Sequence, residues 1–349
     1  MRWRGPIIAF ALTFVAVANS GATAHATMSG TRNQCPQRGS GASPETSLSP
    51  PGPYEQAVDA AAQRGLHVWI EADLAKRWWR GKESFDAGVQ RLADLGRHPG
   101  VAGFKIADEL GYTDSFQTAP ACELNFLRDA AKALHKASPG RKLLADFVVP
   151  ELGCAPGVGS VTSETGQCRA AARAKYPAIT LDEMDKVVRS RALDAIDLST
   201  GLLDAPTYQK WGIDELQAQQ AAWREVTHRG WKHDVQLNAR KALAHAGEFQ
   251  GGEADATADA SVFIDAPRRS GAVAVDVWTW RQQYKGDVYR LMDPGVTENE
   301  LWKALREQRD NGAALLTHFS PSSVERDVGT DLDEITRVFT GVFVASGTG

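Results

Sequence analysis

Residues 100–110 read Gly-Val-Ala-Gly-Phe-Lys-Ile-Ala-Asp-Glu-Leu, a short apolar run that ends in two adjacent carboxylates. Six other runs have the same character, since each is short and apolar and ends in charged or amide side chains. They are His67–Leu74, Lys142–Val149, Ala195–Leu203, His233–Ala239, Ala272–Trp280 and Ala313–Phe319. A helical stretch follows nearly every run, and this alternation predicts a parallel sheet with helices packed around it.

The polar residues collect at the carboxyl ends of these strands, which is the layout of a (β/α)8 barrel of the TIM type. A barrel should open on a strand, yet the helix predicted at Tyr54–Arg64 comes first and no strand candidate lies between Thr27 and Pro53. We therefore expect the first strand to be irregular or missing. The last predicted element is a helix at Asp331–Val344.

The chain has 349 residues and a formal net charge of −4. One barrel of roughly 250 residues accounts for most of this length. The slightly acidic balance argues against nucleic acid as a partner.

The first 26 residues have the features of a signal peptide. Basic residues precede the apolar stretch Ile7–Ala18, and Ala24-His25-Ala26 matches a small-x-small cleavage site. We expect export, a mature chain that starts at Thr27 and no membrane attachment after cleavage; an uncleaved anchor is the alternative. Residues 27–53, rich in Ser, Gly and Pro, are predicted to form an irregular arm, and residues 54–349 the barrel domain.

Four cysteines remain after cleavage, and an even number in an exported chain favours disulfides. Cys154 and Cys168 lie in one loop, so we expect them to pair. Cys35 would then pair with Cys122, which is the favoured one of three possible pairings.

Side chains alternate in direction along a strand, so the inward-facing residues can be predicted. If Phe104 and Ile106 face the helices, then Lys105, Ala107 and Glu109 point inward, with Glu109 at the mouth. The same reasoning selects Trp69, Glu71 and Asp73, then Asp146, Asp197 and Ser199, Gln236 and Asn238, Asp276, Trp278 and Trp280, and finally His318.

Carboxylates from several strands therefore meet at one mouth, where burial is costly unless they are paired or functional. Lys105 would neutralise part of this charge from beneath; a Schiff-base lysine is the rarer alternative. The tryptophans Trp69, Trp278 and Trp280 could stack on the apolar faces of sugar rings.

The signal peptide, the βα plan and the ending Asp108-Glu109 resemble a secreted bacterial (β/α)8-barrel glycoside hydrolase, over roughly residues 54–344. In the large retaining clan of such enzymes, a Glu that follows an Asn donates the proton, and a Glu at the end of the seventh strand is the nucleophile. Glu109 matches the donor, but Asp108 replaces the Asn, and Ala272–Arg281 offers only Asp276. The resemblance implies hydrolysis of an oligo- or polysaccharide without a cofactor, with Glu109 as proton donor.

Asp146 or Asp276 is the second carboxylate, since glycoside hydrolysis needs one protonated and one ionised carboxyl group. Asp146 is slightly favoured as a nucleophile. The other predicted substrate-binding residues are Trp69, Glu71, Asp73, Lys105, Asp108, Asp197, Asn238, Trp278, Trp280 and His318.

Two other functions stay open. A barrel that binds a glycan without cleaving it would keep the tryptophans but lack a correctly spaced acid pair. A metal-dependent hydrolase would use Glu71, Asp73, Asp146 and His318 as ligands, but no His-x-His or His-Glu-x-x-His motif is present. Bound Ca²⁺ as a structural feature is a further possibility.

Overall fold

The structure, a computed structural model, describes Cys35 and residues 52–112, 114–155, 157 and 163–345. The predicted signal peptide and nearly all of the predicted arm lie outside these residues. The strands are His67–Glu71 (β1), Val101–Lys105 (β2), Lys142–Val148 (β3), Ala195–Ser199 (β4), Gln236–Ala242 (β5), His245–Ala246 (β6), Val275–Trp278 (β7), Arg281–Tyr284 (β8), Asp287–Arg290 (β9), Leu315–Phe319 (β10) and Gly341–Ala345 (β11).

Helices surround the strands. They are Pro53–Gln63 (α1), Leu74–Arg80 (α2), Lys82–Leu95 (α3), Pro120–Ala137 (α4), Pro150–Gly153 (α5), Ser163–Lys175 (α6), Leu181–Ser190 (α7), Ala205–Lys210 (α8), Glu215–His228 (α9), Glu253–Ala260 (α10), Ala266–Arg269 (α11), Glu300–Asp310 (α12) and Val328–Thr336 (α13). Short 3₁₀ turns span Pro177–Ile179 and Trp231–His233, and a π-helical segment spans Ser261–Asp265.

Eight parallel strands close into a barrel in the order β1, β11, β10, β7, β5, β4, β3, β2. The fold is therefore the predicted (β/α)8 barrel. Three short strands, β6, β9 and β8, form a separate small sheet beside the end of β7.

No strand of the barrel is missing. The seven predicted runs all contain strands, and the eighth strand is β11, which pairs in parallel with both β1 and β10. The predicted helix Asp331–Val344 was wrong in its second half, because α13 ends at Thr336 and residues 341–345 form β11. The barrel thus begins with β1 and is closed by the last described residues.

An apolar layer fills the amino-terminal half of the barrel interior. Its members are Trp69, Leu144, Ala195, Ala274, Leu316 and Phe343, all buried. Gly103 is required beside this layer, because a Cβ atom there would lie 2.7 Å from the Trp69 ring and 2.2 Å from the Lys142 carbonyl oxygen. The polar residues lie above this layer, toward the carboxyl ends of the strands.

Both predicted disulfides are confirmed. Cys35 bonds to Cys122 at the start of α4, and Cys154 bonds to Cys168 on α6. Within the described residues, no helix has the length and apolar character needed to cross a membrane.

Candidate functional site

Strand register brings most of the predicted polar residues to one level of the barrel. Glu71 pairs with Lys105, Asp146 with Asp197, and Asp197 with Asn238 across adjacent strands. On the far side, Asp276 of β7 lies opposite Arg240 of β5. All these side chains follow the alternation predicted for inward-facing positions.

Lys105 is fully buried at the centre of this level. Its Nζ atom lies 2.8 Å from Asp108, 2.9 Å from Asp146 and 3.3 Å from Glu71. Burial alone would lower the pKa of Lys105, but Asp108, Asp146 and Glu71 outweigh it and raise the pKa well above its usual range. Lys105 is thus a charged ammonium held by carboxylates, as the neutralising assignment predicts, whereas a Schiff-base lysine requires an uncharged amine.

Arg240 is the second cation and covers the acids from the solvent side. Its Nε atom lies 3.0 Å from Asp146 Oδ2 and 3.4 Å from Asp276 Oδ2. Its terminal nitrogens lie 3.0 Å from Glu109 and 3.3 Å from Asp108. One guanidinium therefore contacts four carboxyl groups.

His318 is the third cation. Its Nδ1 lies 2.8 Å from Glu71 Oε2, and its Nε2 lies 3.0 Å from Asp276 Oδ2. Burial would lower the pKa of His318, but Asp276 and Glu71 outweigh burial and raise it to about 9. Burial would likewise raise the pKa of Glu71, but Lys105 and His318 lower it to about 2. At neutral pH both groups are charged.

These contacts form a closed ring in which acids and bases alternate. In order, the ring runs Asp276, His318, Glu71, Lys105, Asp146, Arg240 and back to Asp276. Paired charges compensate the cost of burial, so each member holds its two neighbours in position.

Asp197 lies next to the ring and is fully buried. Its Oδ1 accepts a hydrogen bond of 2.7 Å from Asn238 Nδ2. Burial and the nearby Asp276 raise the pKa of Asp197 to about 7. Asp197 Oδ2 and Asp276 Oδ1 have no hydrogen-bond partner among the described residues.

Asp146 lies closer to the cations, although its Oδ2 also forms no hydrogen bond with a described residue. Its Oδ1 accepts the backbone N–H of Glu109, and its Oδ2 contacts Lys105 and Arg240. Burial, helped by Asp108, raises the pKa of Asp146 well above its usual range, although Arg240 and Lys105 oppose the shift. Asp146 therefore joins the loop after β2 to the ring.

Glu109 lies at the rim of the mouth. It has a left-handed backbone, with φ of 45°, which turns the chain so that its N–H faces Asp146. The side chain of Glu109 is 28% exposed and that of Asp108 is 56% exposed, whereas Asp146 and Asp276 are completely buried. A ligand at the mouth meets Asp108, Glu109 and Arg240 first.

The structure does not bring every predicted substrate-binding residue to the mouth. Trp69 belongs to the apolar layer below the ring and lies 6.3 Å from Phe343, centroid to centroid. Asp73 caps helix α2 by accepting the N–H of Lys76 at 2.8 Å. Both positions have structural explanations that the alternation pattern alone does not reveal.

The two tryptophans of the predicted run Ala272–Trp280 lie in different places. Trp278, at the carboxyl end of the strand, is partly exposed and contacts Tyr289 of the small sheet, with ring centroids 5.6 Å apart. Trp280 is buried outside the barrel against Trp302 and donates a 2.8 Å hydrogen bond to Asp331. The expected shared inward face fails because β7 ends at Trp278.

Arg240 was not predicted from the sequence. The predicted run His233–Ala239 stops one residue before Arg240, whereas β5 continues to Ala242. The signal was present, because Arg240 is the next inward position after Gln236 and Asn238.

The ligand set considered for a metal does not assemble. Glu71 and His318 pair with each other, Asp146 pairs with Lys105 and Arg240, and Asp73 caps a helix. In the part of the chain that the structure describes, no three His, Cys, Asp or Glu side chains are arranged to hold a metal ion. The side-chain cations lie between the acids, where a metal would have to bind.

No protein-family model matches the chain, and no curated protein matches it. Solved structures resemble it in fold. A beta-glycosidase shares 13% identity over 75% of this chain and 76% of its own, with a TM-score of 0.39. D-Psicose 3-epimerase from Clostridium cellulolyticum H10 shares 14% identity over 80% and 84%, with a TM-score of 0.44.

The carboxyl transferase domain of Rhizobium etli pyruvate carboxylase shares 13% identity with a TM-score of 0.45, and the match spans 84% of this chain but 42% of that one. At these identities the likeness concerns the barrel fold alone.

Proposed function

We propose that this chain is a glycoside hydrolase that cleaves an oligo- or polysaccharide at the barrel mouth, with Glu109 as proton donor. The observation that carries the proposal is that the carboxyl groups of Glu109 and Asp276 contact the same guanidinium, that of Arg240. Two carboxyl groups that share one guanidinium are close enough to flank a glycosidic bond, which needs roughly 5–9.5 Å.

Asp276 suits the second carboxylate better than Asp146. Asp276 Oδ2 is held by His318 and Arg240, while its Oδ1 is unpartnered among the described residues. Positive charge from His318 stabilises a negative charge on Asp276 during the reaction. Asp146 uses both oxygens to hold Lys105, Arg240 and the Glu109 backbone, which supports a positioning role instead.

Arg240 must move when substrate binds. Arg240 contacts both Glu109 and Asp276, so neither carboxyl group is free to face a sugar. We infer that sugar hydroxyl groups replace its contacts to the two acids. Glu109 then gives its proton to the leaving oxygen, and Asp276 attacks the anomeric carbon or activates water. Trp278, at the rim, supplies a surface for stacking.

The test compares wild type with Glu109→Gln and Asp276→Asn on a broad panel of soluble glycans, with reducing-end release as the readout. Both variants should lose at least about 10³-fold in turnover, a loss typical for removal of an acid–base group. Glu83→Gln, an exposed change on α3, is the matched control and should keep full activity. Turnover that survives Glu109→Gln removes Glu109 from the role.

A barrel that binds a glycan without cleaving it is the second candidate. It is favoured by the complete burial of Asp276 and by the ion pair between Glu109 and Arg240. If no glycan in the panel is cut but some shift tryptophan fluorescence, and Trp278→Ala abolishes that shift, this second function replaces the first.

We also propose that the protein is exported. The basic and apolar residues before Ala26 support export, and so do the two disulfides, which are typical of oxidising compartments. Expression in a secreting bacterial host should give protein in the medium whose amino-terminal sequence starts at Thr27. Protein found only in the cell, with Met1 retained, contradicts export.

A further inference from the structure

A basic cleft lies at the opposite end of the barrel from the ring. It is an open surface cleft of about 600 Å³, lined by Arg224, Thr227, His228, Lys232, Arg269, Ser270 and Gly271. Residues 229–235 and 270–274 lead into β5 and β7, so the cleft lies at the amino-terminal ends of these strands. It contains none of the residues proposed for catalysis.

The charges in this cleft are not neutralised. Arg224, His228 and Lys232 are exposed and make no ion pair with any described residue, and Arg269 has only a weak contact of 3.9 Å with Asp265. Arg229, the residue that follows α9, differs because it pairs with Glu225 at 2.8 Å and Asp185 at 2.9 Å. The cleft therefore concentrates free positive charge on a chain whose net charge is −4.

The arrangement suits an anion. Arg224 and His228 are four residues apart on α9, and this spacing puts them on one face of the helix. Lys232 and Arg269 approach from two other elements. The hydroxyl groups of Thr227 and Ser270 donate to the backbone carbonyl oxygens of Ser270 and Ala266, so the cationic side chains supply the donors for an anion. Arginine forms forked hydrogen bonds to tetrahedral oxyanions, and lysine supplies a point charge.

We propose that this cleft binds a phosphate or sulfate group. The same chemistry occurs on a free anion and on an anionic polymer, so the test includes both. The proposal does not depend on activity at the barrel mouth, so it stands even if the proposed hydrolase function fails.

The experiment measures binding of the full chain to dextran sulfate by isothermal titration calorimetry at low salt, with neutral dextran as the reference polymer. The site variant is R224Q/K232Q/R269Q. The control variant is K132Q/K136Q/K210Q, which removes the same charge from exposed positions on α4 and α8.

We expect the site variant to weaken binding by at least roughly tenfold and the control by less than about threefold, because only the cleft offers converging donors. Competition by inorganic phosphate would identify a free anion as a sufficient ligand. Polymer binding that phosphate does not displace would identify the polymer as the ligand.

Equal weakening in both variants would overturn the proposal, since general charge would then explain the binding. The proposal would also be overturned if wild type bound neutral dextran with the same affinity as dextran sulfate. A site variant that keeps its affinity but unfolds more easily would mean that these cations only complement the carboxyl ends of α9 and α11. Thermal unfolding of both variants is therefore measured in parallel.

Discussion

His318 Nε2 lies 3.0 Å from Asp276 Oδ2, and the two side chains come from neighbouring barrel strands. The other ring nitrogen of His318 contacts Glu71, so the imidazolium joins β7 to β1 across β10 and β11. This bridge depends on the proton of His318.

Stability should therefore fall as the pH rises. The folded pKa of His318, about 9, exceeds its ordinary value of 6.5, so its contribution is fully present below about pH 6.5 and is lost as pH passes 9. The loss should be on the order of 3 kcal/mol in free energy of unfolding. Urea titrations from pH 6 to 10 measure it. In His318→Gln the part of this loss that occurs above about pH 7 should disappear, whereas exposed His233→Gln should retain it.

Removal of Arg240 should destabilise the fold. Arg240→Ala leaves the buried Asp146 and Asp276 without one of their cations, and breaking such buried pairs costs about 3–5 kcal/mol. Arg240→Lys should recover part of this loss but not the contacts to both Asp108 and Glu109, because lysine lacks the guanidinium fork. Denaturant unfolding gives both values. Arg128→Ala on the exposed face of α4 should change stability by less than about 0.5 kcal/mol.

The two disulfides should differ in their effect on stability. The Cys35–Cys122 bond closes a separation of 87 residues, and Cys154–Cys168 closes one of 14. Loop-closure entropy predicts a loss of about 4.6 kcal/mol for C35S/C122S and about 3 kcal/mol for C154S/C168S. Unfolding in guanidinium chloride compares them. A larger loss for the shorter loop would contradict the entropic explanation.

Trp278 at the end of β7 and Trp280 just beyond it provide a matched pair. Trp280→Phe removes a buried hydrogen bond to Asp331 and should cost about 1–3 kcal/mol. Trp278→Phe removes a bond to the partly exposed Gln282 and should cost less than about 1 kcal/mol. Thermal unfolding of both variants at one pH compares these losses. A larger loss for Trp278→Phe than for Trp280→Phe would contradict the burial seen at each site.

Much of the barrel could be predicted because strand alternation is a local property. Lys105, Asp146, Asp197, Asn238, Asp276 and His318 face the interior as the period-two pattern indicates. β11 was predicted as part of a helix, because the short apolar run 341–345 closely follows α13. A run of that length shows no periodicity that distinguishes a strand from a helix.

The sequence predicted which side chains face the barrel interior better than it predicted which of them belong to the site. Trp69 faces inward as expected, but its height in the barrel puts it in the apolar layer, and height depends on strand register. Arg240 lay one residue beyond the predicted end of its strand, and strand ends are set by neighbours rather than by local pattern.

The sequence by itself determined the βα alternation, the pairing of Cys154 with Cys168 and the inward positions of most acids, because each follows from periodicity or from a short separation along the chain. Only the tertiary structure decided which charges meet. Glu71 and His318 are 247 residues apart and Glu109 and Arg240 are 131 apart, and they touch only because closure of the barrel brings their strands to one mouth. Contacts between distant residues depend on register and closure, which no local pattern of side chains encodes.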